Sequence, residues 1–207
     1  ARKDITRTLM YFGILKPYWP KAKLYLHMQK NEEGVKGYDL DRILDCNSKW
    51  LLDISMPAGF NADKGMDVKN LNLIYNCADL IISTTKGEGF GLSTIEAMAT
   101  KTLTMMPDNS SITELLKDNR GILIKCGETI NDWEISPFET GFPRPLTNIE
   151  DMITKTLELK KDYPQDKIEK AYSWVTSELN WDKVIGLFKK GFTWKPKGET
   201  QEGGVSI

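Results

Sequence analysis

The chain has 207 residues, of which 40% are hydrophobic and 28% are charged, and its formal net charge at pH 7 is −1. This length is sufficient for one sizeable domain with a buried core. The near-neutral charge argues against non-specific nucleic-acid binding, which requires a strongly basic face. No apolar run approaches the roughly 20 residues that a membrane-spanning helix needs, so we expect any membrane contact to be peripheral.

The three cysteines, Cys46, Cys77 and Cys126, lie far apart and lack the C-x-x-C spacing of metal and redox motifs. We therefore expect buried free thiols in a reducing compartment. Because no signal peptide is visible either, the sequence predicts a cytoplasmic protein, with contact at the cytoplasmic face of a membrane as the one alternative.

The first part of the chain alternates between helical and extended patterns of apolar residues. In chain order the spacing predicts a helix over 4–16 that Pro17 ends, a strand over 22–28, a helix over 38–47, a strand over 50–54 and a helix over 70–77.

The second part continues the alternation and then becomes helical. We predict a strand over 78–83, a helix over 92–99, a strand over 101–107, a helix near 112–116, a strand over 121–124, an irregular surface stretch over 126–146, and helices near 148–161, 165–179 and 181–192. Strands that alternate with helices predict an α/β fold, a Rossmann-like doubly wound and mostly parallel sheet with a helical C-terminal end. Residues 194–207 are predicted to form a flexible tail.

The junction between the predicted strand at 78–83 and the helix at 92–99 carries two carboxylates eight residues apart, Glu88 and Glu96. Between them lies the turn Gly89-Phe90-Gly91. Glycines let a backbone approach a ligand closely, and the free N–H groups of a helix start attract phosphate. A purely structural interpretation remains open, in which Ser93 and Glu96 form a capping box and Glu88 is a solvated loop residue.

The stretch 83–92, Ser-Thr-Thr-Lys-Gly-Glu-Gly-Phe-Gly-Leu, followed by Ile-Glu-Ala-Met-Ala at 95–99, closely resembles the donor-site motif of family 4 glycosyltransferases of the GT-B fold. The segments after the motif are similar to the next elements of that family, except that Ser110 and Ser111 stand where glycines are usual. Near the start, Arg2-Lys3-Asp4-Ile5 resembles the end of a phosphate-gripping loop. The similarity spans about residues 1 to 192.

The resemblance implies that residues 1–193 form the donor-binding domain, one half of a GT-B fold. The chain opens directly on a helix, whereas a Rossmann-like domain begins with a strand. We therefore expect the first strand of this domain, and the N-terminal acceptor domain of the same enzyme, to be missing from the 207 residues, and we expect the domain alone to be inactive.

The implied activity is transfer of a sugar from a nucleotide diphosphate sugar to an acceptor, with retention of anomeric configuration and without a metal or other cofactor. By this resemblance Glu88 is the catalytic residue, which contacts the donor sugar near its reacting carbon. Glu96 is expected to accept hydrogen bonds from the ribose hydroxyls. The other implied donor-binding residues are Lys3, Gly89, Phe90, Gly91, Leu92 and Ser93.

Two weaker assignments complete the predicted site. The loop Gly59-Phe60-Asn61 lies where family members hold the base, and His27 follows a predicted strand at the edge of the sheet where ligands bind. The acceptor, a glycan, a lipid or a protein, is not specified. The alternatives are a non-catalytic nucleotide-binding module, or a Rossmann-type enzyme that modifies nucleotide sugars. The second is disfavoured because the glycine turn follows an internal strand and no acidic ribose-binding residue lies about 20 residues further on.

Overall fold

The computed structural model describes residues 2–29, 39–61, 63–135 and 141–192. The predicted tail at 194–207 lies outside these ranges. The described strands are β1 (Leu24–Tyr25), β2 (Ile54–Ser55), β3 (Leu80–Ile82), β4 (Leu103–Pro107), β5 (Ile122–Ile124), β6 (Trp133–Glu134) and β7 (Arg144–Pro145). The described helices are α1 (Ile5–Leu15), α2 (Leu40–Cys46), α3 (Val68–Cys77), α4 (Leu92–Ala99), α5 (Ser110–Leu115), α6 (Ile149–Glu158), α7 (Gln165–Glu178) and α8 (Trp181–Phe192).

The first five strands are all paired in parallel. β1 pairs with β2, and β3, β4 and β5 form a second sheet with β4 in the middle. β4 is buried along its whole length, as expected for a central parallel strand covered on both faces. The predicted α/β fold is therefore confirmed.

Helices cover both faces of the three-stranded sheet, and the two methionines of β4 show this directly. Met105 belongs to a core that contains residues of α1 and α6, whereas its neighbour Met106 belongs to a second core with residues of α4, α5 and α7. Successive residues of a strand point to opposite faces, so the two cores lie on opposite sides of the sheet. This arrangement is doubly wound, as the sequence predicts.

A cavity of about 1850 Å³ separates the two parallel sheets. Leu24 and Tyr25 of β1 line it from one side, and Leu80 to Ile82 of β3 line it from the other. Among the described residues, the edges of β1 and β3 that are not bonded to β2 and β4 have no strand partner. Both edges therefore border the same open space.

Several sequence expectations need correction. The strands predicted over 22–28 and 50–54 are reduced to two residues each, and the second begins only at Ile54. The ring of Trp50 lies against Gly13, where a Cβ would come within 1.8 Å of it, so this part of the chain packs on α1 and does not extend β2. The stretch 126–146 is not wholly irregular, because β6 and β7 pair in antiparallel fashion.

The burial expected for the three cysteines is wrong. Cys46 and Cys77 are exposed, and Cys126 is half-buried. Cys46 is the last residue of α2 and Cys77 the last residue of α3, and Cys77 lines the cavity between the sheets.

Candidate functional site

The loop between β3 and α4 has a backbone that demands glycine at its end. Gly91 precedes α4 with φ of 88°, and a Cβ at this position would lie 2.9 Å from the Cδ1 atom of Leu115. A Cβ on Gly89, in contrast, would meet nothing within 4 Å. The loop thus packs tightly at Gly91 and faces open space at Gly89, where another molecule could approach the backbone.

The first turn of α4 leaves donors free. The carbonyl oxygen of Gly91 accepts hydrogen bonds from the N–H groups of Thr94 and Ile95. Within the described part of the chain, no hydrogen bond engages the N–H groups of Leu92 and Ser93. Such unpaired donors, together with the positive end of the helix dipole, attract an anion.

Glu88 lies between two cations that come from the start of the sequence. Its Oε2 atom is 2.9 Å from Arg2 Nη1, and its Oε1 atom accepts a hydrogen bond from Lys3 Nζ. The Glu88 side chain is only 12% exposed. Burial acts to raise the pKa of this carboxyl, but the hydrogen bonds and charges of Lys3 and Arg2 outweigh it and hold the pKa below its usual value.

Buried hydroxyls fix the segment that carries these cations against the loop. Thr84 Oγ1 contacts Thr8 Oγ1 at 2.7 Å and donates to the carbonyl oxygen of Asp4 at 2.7 Å. The N–H group of Lys86 donates to the carbonyl oxygen of Arg2 at 2.9 Å. The chain before α1 therefore runs along the extension of β3, which brings Arg2 and Lys3 to Glu88.

Glu96 lies inside α4 and does not cap it. The N-cap residue is Gly91, and no side-chain hydrogen bond caps this helix, so the capping box of Ser93 and Glu96 does not form. Instead Glu96 Oε2 accepts a hydrogen bond of 2.7 Å from the hydroxyl of Tyr75. Burial and the adjacent Glu96 carboxylate raise the pKa of Tyr75 well above its usual value, because both disfavour the phenolate.

His27 and the loop at 59–61 meet, although they are more than 30 residues apart. The rings of His27 and Phe60 have centroids 4.6 Å apart and are tilted by 55°, and the Tyr25 hydroxyl lies 3.3 Å from His27 Nδ1. Asn61 Oδ1 accepts from the N–H groups of Asp63 and Lys64, which shapes the turn. The structure therefore places an aromatic group, formed by Tyr25, His27 and Phe60, beyond the carboxyl ends of β1 and β2.

The cavity between the sheets connects several of these groups. Its lining includes Arg2, Lys3, His27, Tyr75, Ser83 and Ser93. Glu88 and Glu96 are not in the lining, but each is bonded to a residue that is, Glu88 to Arg2 and Lys3 and Glu96 to Tyr75. One open space therefore joins the anion-attracting loop to the edge where His27 lies.

The described ranges contain neither a metal cluster nor a membrane-spanning helix. No three His, Cys, Asp or Glu side chains converge there as a metal site would require. None of the described helices combines the length and the apolar character needed to cross a bilayer.

Sequence reasoning missed Arg2 and Tyr75 as members of the site. Arg2 stands next to Lys3 in the segment that resembles a phosphate-gripping loop, so its position was available, but only Lys3 was predicted to contact the donor. Tyr75 gave no local signal, because its partner Glu96 is 21 residues away. The serines that replace the usual glycines are also close to the site, since Ser110 Oγ lies 2.8 Å from the Glu88 nitrogen.

The chain is similar to known proteins in part of its sequence and in its fold. Residues 63–140 match the family model described as glycosyl transferases group 1. No curated protein matches the chain in sequence.

Solved structures share the fold of the chain at low sequence identity. TarM from S. aureus, in complex with fondaparinux, α-GlcNAc-glycerol and UDP, superposes with a TM-score of 0.66 at 19% identity, over 94% of this chain and 34% of that one. Sucrose-phosphate synthase from Thermosynechococcus elongatus gives 0.65 at 16% identity, over 93% and 44% of the two chains. The C-terminal domain of a group 1 glycosyl transferase from Francisella tularensis gives 0.61 at 17%, over 87% and 81%.

The 207 residues thus span about a third to a little under a half of TarM and of the synthase. Together with the family match, these likenesses confirm the resemblance to a C-terminal, GT-B half of a group 1 glycosyltransferase that the sequence motif indicates.

Proposed function

We propose, on the premise of the group 1 glycosyl transferase match over residues 63–140, that this chain is the donor-binding domain of a retaining glycosyltransferase. It binds a nucleotide diphosphate sugar and passes the sugar to an acceptor hydroxyl, with no metal or other cofactor. The observation that carries the proposal is the loop of Glu88, where two cations hold one carboxylate and the helix that follows begins with free N–H groups.

The diphosphate is assigned to the first turn of α4 and to Arg2 and Lys3. In this structure Glu88 forms ion pairs with both cations, and the three groups together keep a net positive charge. A diphosphate carries more charge than one carboxylate and can accept from the N–H groups of Leu92 and Ser93 as well, so it competes for the cations effectively. These donors and cations supply the positive charge that the departing diphosphate needs, which is why we propose catalysis without a metal.

The nucleoside is assigned to the two groups that flank this loop. Glu96, one turn into α4, offers a carboxylate to the ribose 2′- and 3′-hydroxyls, and Tyr75 fixes its orientation from behind. The tilted rings of His27 and Phe60 offer an aromatic surface on which a base can stack.

Glu88 is proposed to hydrogen-bond the hydroxyls of the donor sugar once Arg2 and Lys3 have turned to the phosphates. In the proposed reaction, the bond between the anomeric carbon and the diphosphate oxygen breaks. The acceptor hydroxyl oxygen then bonds to the anomeric carbon from the face that the diphosphate leaves. The proton of that hydroxyl passes to the departing phosphate oxygen, so charge and atoms balance, and Glu88 is not required to form a covalent sugar intermediate.

The acceptor side of the reaction is assigned to a second domain of the same enzyme, which faces the donor-binding domain across a cleft. We propose that a preceding strand of that longer chain fills the space between β1 and β3, where both edges lack a partner among the described residues. The acceptor is a glycan, a lipid or a protein hydroxyl, and the place of action is the cytoplasm, with peripheral contact at the membrane for a lipid acceptor.

Calorimetry with UDP, GDP and ADP in the presence of EDTA tests the proposal. At least one of the three should bind, and Lys3→Ala should weaken that binding because one cation at the diphosphate is lost. Lys170→Ala is the matched control, since Lys170 lies on α7 and pairs only with Asp166 in the described structure. If folded protein binds none of the three nucleotides, the proposed function is wrong. Binding without any sugar transfer by the full-length enzyme would favour a non-catalytic nucleotide-binding module.

A further inference from the structure

Two serines at the start of α5 hold the backbone of Glu88 from both sides. The N–H group of Glu88 donates to Ser110 Oγ at 2.8 Å, and the carbonyl oxygen of Glu88 accepts from Ser111 Oγ at 3.0 Å. Both peptide groups that flank the Glu88 Cα atom are therefore fixed by hydroxyls of one short helix.

The serines are themselves anchored to the core of the loop through Asn109. Ser110 Oγ donates to Asn109 Oδ1 at 2.9 Å, and Asn109 Nδ2 donates to the carbonyl oxygen of Thr85 at 3.2 Å. Thr85 is fully buried. The chain of hydrogen bonds thus runs from a buried residue of the loop, through α5, to the peptide of Glu88.

The backbone of Ser110 has a conformation that is strained for a residue with a side chain. Ser110 has φ of 52°, in the left-handed region that favours glycine. A glycine here would adopt this conformation without strain, and glycine is what the resembled motif usually has. A strained backbone persists only where the surrounding structure fixes it, and the contacts that a glycine would lack are those of the Ser110 hydroxyl with Glu88 and Asn109.

The loop needs such support because its own sequence is permissive. Glu88 lies between Gly87 and Gly89, and the Cβ position of Gly89 faces open space. In this structure Arg2 and Lys3 hold the carboxylate of Glu88. When a diphosphate takes these cations, as the proposed function requires, the side chain loses both contacts and only the backbone contacts remain.

We propose that Ser110 and Ser111 are positioning residues, which keep the Glu88 carboxylate directed at the donor sugar after Arg2 and Lys3 have moved to the phosphates. This inference rests on the proposed function. We therefore expect removal of either serine hydroxyl to lower turnover more than it lowers nucleotide affinity, because neither hydroxyl is assigned to the nucleotide.

Four variants and one control separate positioning from folding. Ser110→Gly removes the hydroxyl and relieves the left-handed strain, whereas Ser110→Ala removes the hydroxyl and keeps the strain. Ser111→Ala removes the second contact, and Ser111→Thr restores a hydroxyl at the same place. Thr113→Ala is the control, because Thr113 Oγ1 lies on the same helix but bonds Asp108 and not the loop.

The first readout is amide exchange at Glu88 in the 207-residue chain, with thermal unfolding measured in parallel. We expect exchange of this amide to be faster by about tenfold in both Ser110 variants, while Ser110→Gly melts no lower than the wild type and Ser110→Ala melts lower. Unchanged exchange at Glu88 in both variants would overturn the inference whether or not a nucleotide binds.

The second readout is turnover of the full-length enzyme, measured as hydrolysis of UDP-glucose, GDP-mannose or ADP-glucose. We expect Ser110→Gly, Ser110→Ala and Ser111→Ala each to lower kcat by about tenfold with KM for the donor changed less than about threefold, and Ser111→Thr to restore kcat. Equal kcat in wild type, Ser110→Gly and Ser111→Ala would refute the positioning role while leaving the proposed function intact. Failure of the wild type to bind any nucleoside diphosphate would instead refute the proposed function and the catalytic part of this inference together.

Discussion

The pair formed by Glu96 and Tyr75 allows the nucleotide-binding role of Glu96 to be separated from its structural role. Glu96→Ala removes the carboxylate proposed to hold the ribose and also deprives the Tyr75 hydroxyl of its partner at 2.7 Å. Tyr75→Phe removes the same internal hydrogen bond but leaves the carboxylate in place. Comparing the two variants therefore isolates the binding free energy that the Glu96 carboxylate contributes to the ligand.

The magnitudes follow from the hydrogen bonds involved. Loss of the internal bond in Tyr75→Phe should lower the free energy of unfolding by about 1 kcal/mol, a shift in Tm of roughly 2–4 °C for a domain of this size. Glu96→Ala should cost more, about 1–3 kcal/mol, because the buried hydroxyl of Tyr75 is left unpaired. In addition, Glu96→Ala should weaken nucleotide binding by about 1–3 kcal/mol, roughly 5- to 150-fold, while Tyr75→Phe should change it only a few-fold.

Calorimetry with a matched pair of ligands measures directly how much Glu96 contributes to binding of the ribose hydroxyls. The wild type should prefer the nucleoside diphosphate over its 2′,3′-dideoxy analogue, and Tyr75→Phe should keep that preference. Glu96→Ala should bind both ligands equally, since the acceptor of the two hydroxyls is gone. If Glu96→Ala distinguishes the two ligands as strongly as the wild type does, Glu96 does not hold the ribose and the assignment is refuted.

Two further outcomes follow from the charged and buried groups. Glu88→Gln should bind nucleoside diphosphate at least as tightly as the wild type, because the carboxylate that competes with the diphosphate for Arg2 and Lys3 is removed. Turnover of the full-length enzyme should fall. A large loss of nucleotide affinity by calorimetry would contradict this prediction. Tyr11 is buried, and this burial raises its pKa from 10.0 to about 12 against the opposing hydrogen bond of Thr156. The stability that the neutral Tyr11 hydroxyl contributes should therefore be complete below pH 10, and the free energy of unfolding should fall by about 3 kcal/mol as the pH rises through 12. Denaturant unfolding of wild type and Tyr11→Phe across this range should show a flatter dependence on pH for the variant.

β3, α4 and the loop between them were predictable because their sequence signals are local. The apolar run before Ser83, the glycines at 89 and 91 and the helical spacing after them each depend on neighbouring residues, and β3 and α4 lie where the sequence predicts them. The extended stretches at 22–28 and 50–54 were overestimated, since apolar residues there serve packing against α1 as well as strand pairing.

The contacts that define the site were not predictable in the same way. The carboxylate of Glu88 meets Arg2 and Lys3 across some 85 residues of sequence, and the Glu88 peptide meets Ser110 across 22. Only the folded sheet, which brings the segment before α1 beside the extension of β3, creates these neighbours. The sequence also suggested a capping box for Glu96, a local pairing that loses to the tertiary contact with Tyr75.

The facing edges of β1 and β3 have a consequence for handling the protein in concentrated solution. Each edge presents N–H and C=O groups that no described strand engages, and the space between them is wide and lined largely by apolar side chains such as Leu24, Leu80 and Ile82. An unprotected strand edge of this kind is a template for extended segments of other molecules. We therefore expect self-association of the 207-residue chain through these edges, and Lys or Pro substitutions along β1 or β3 to suppress aggregation.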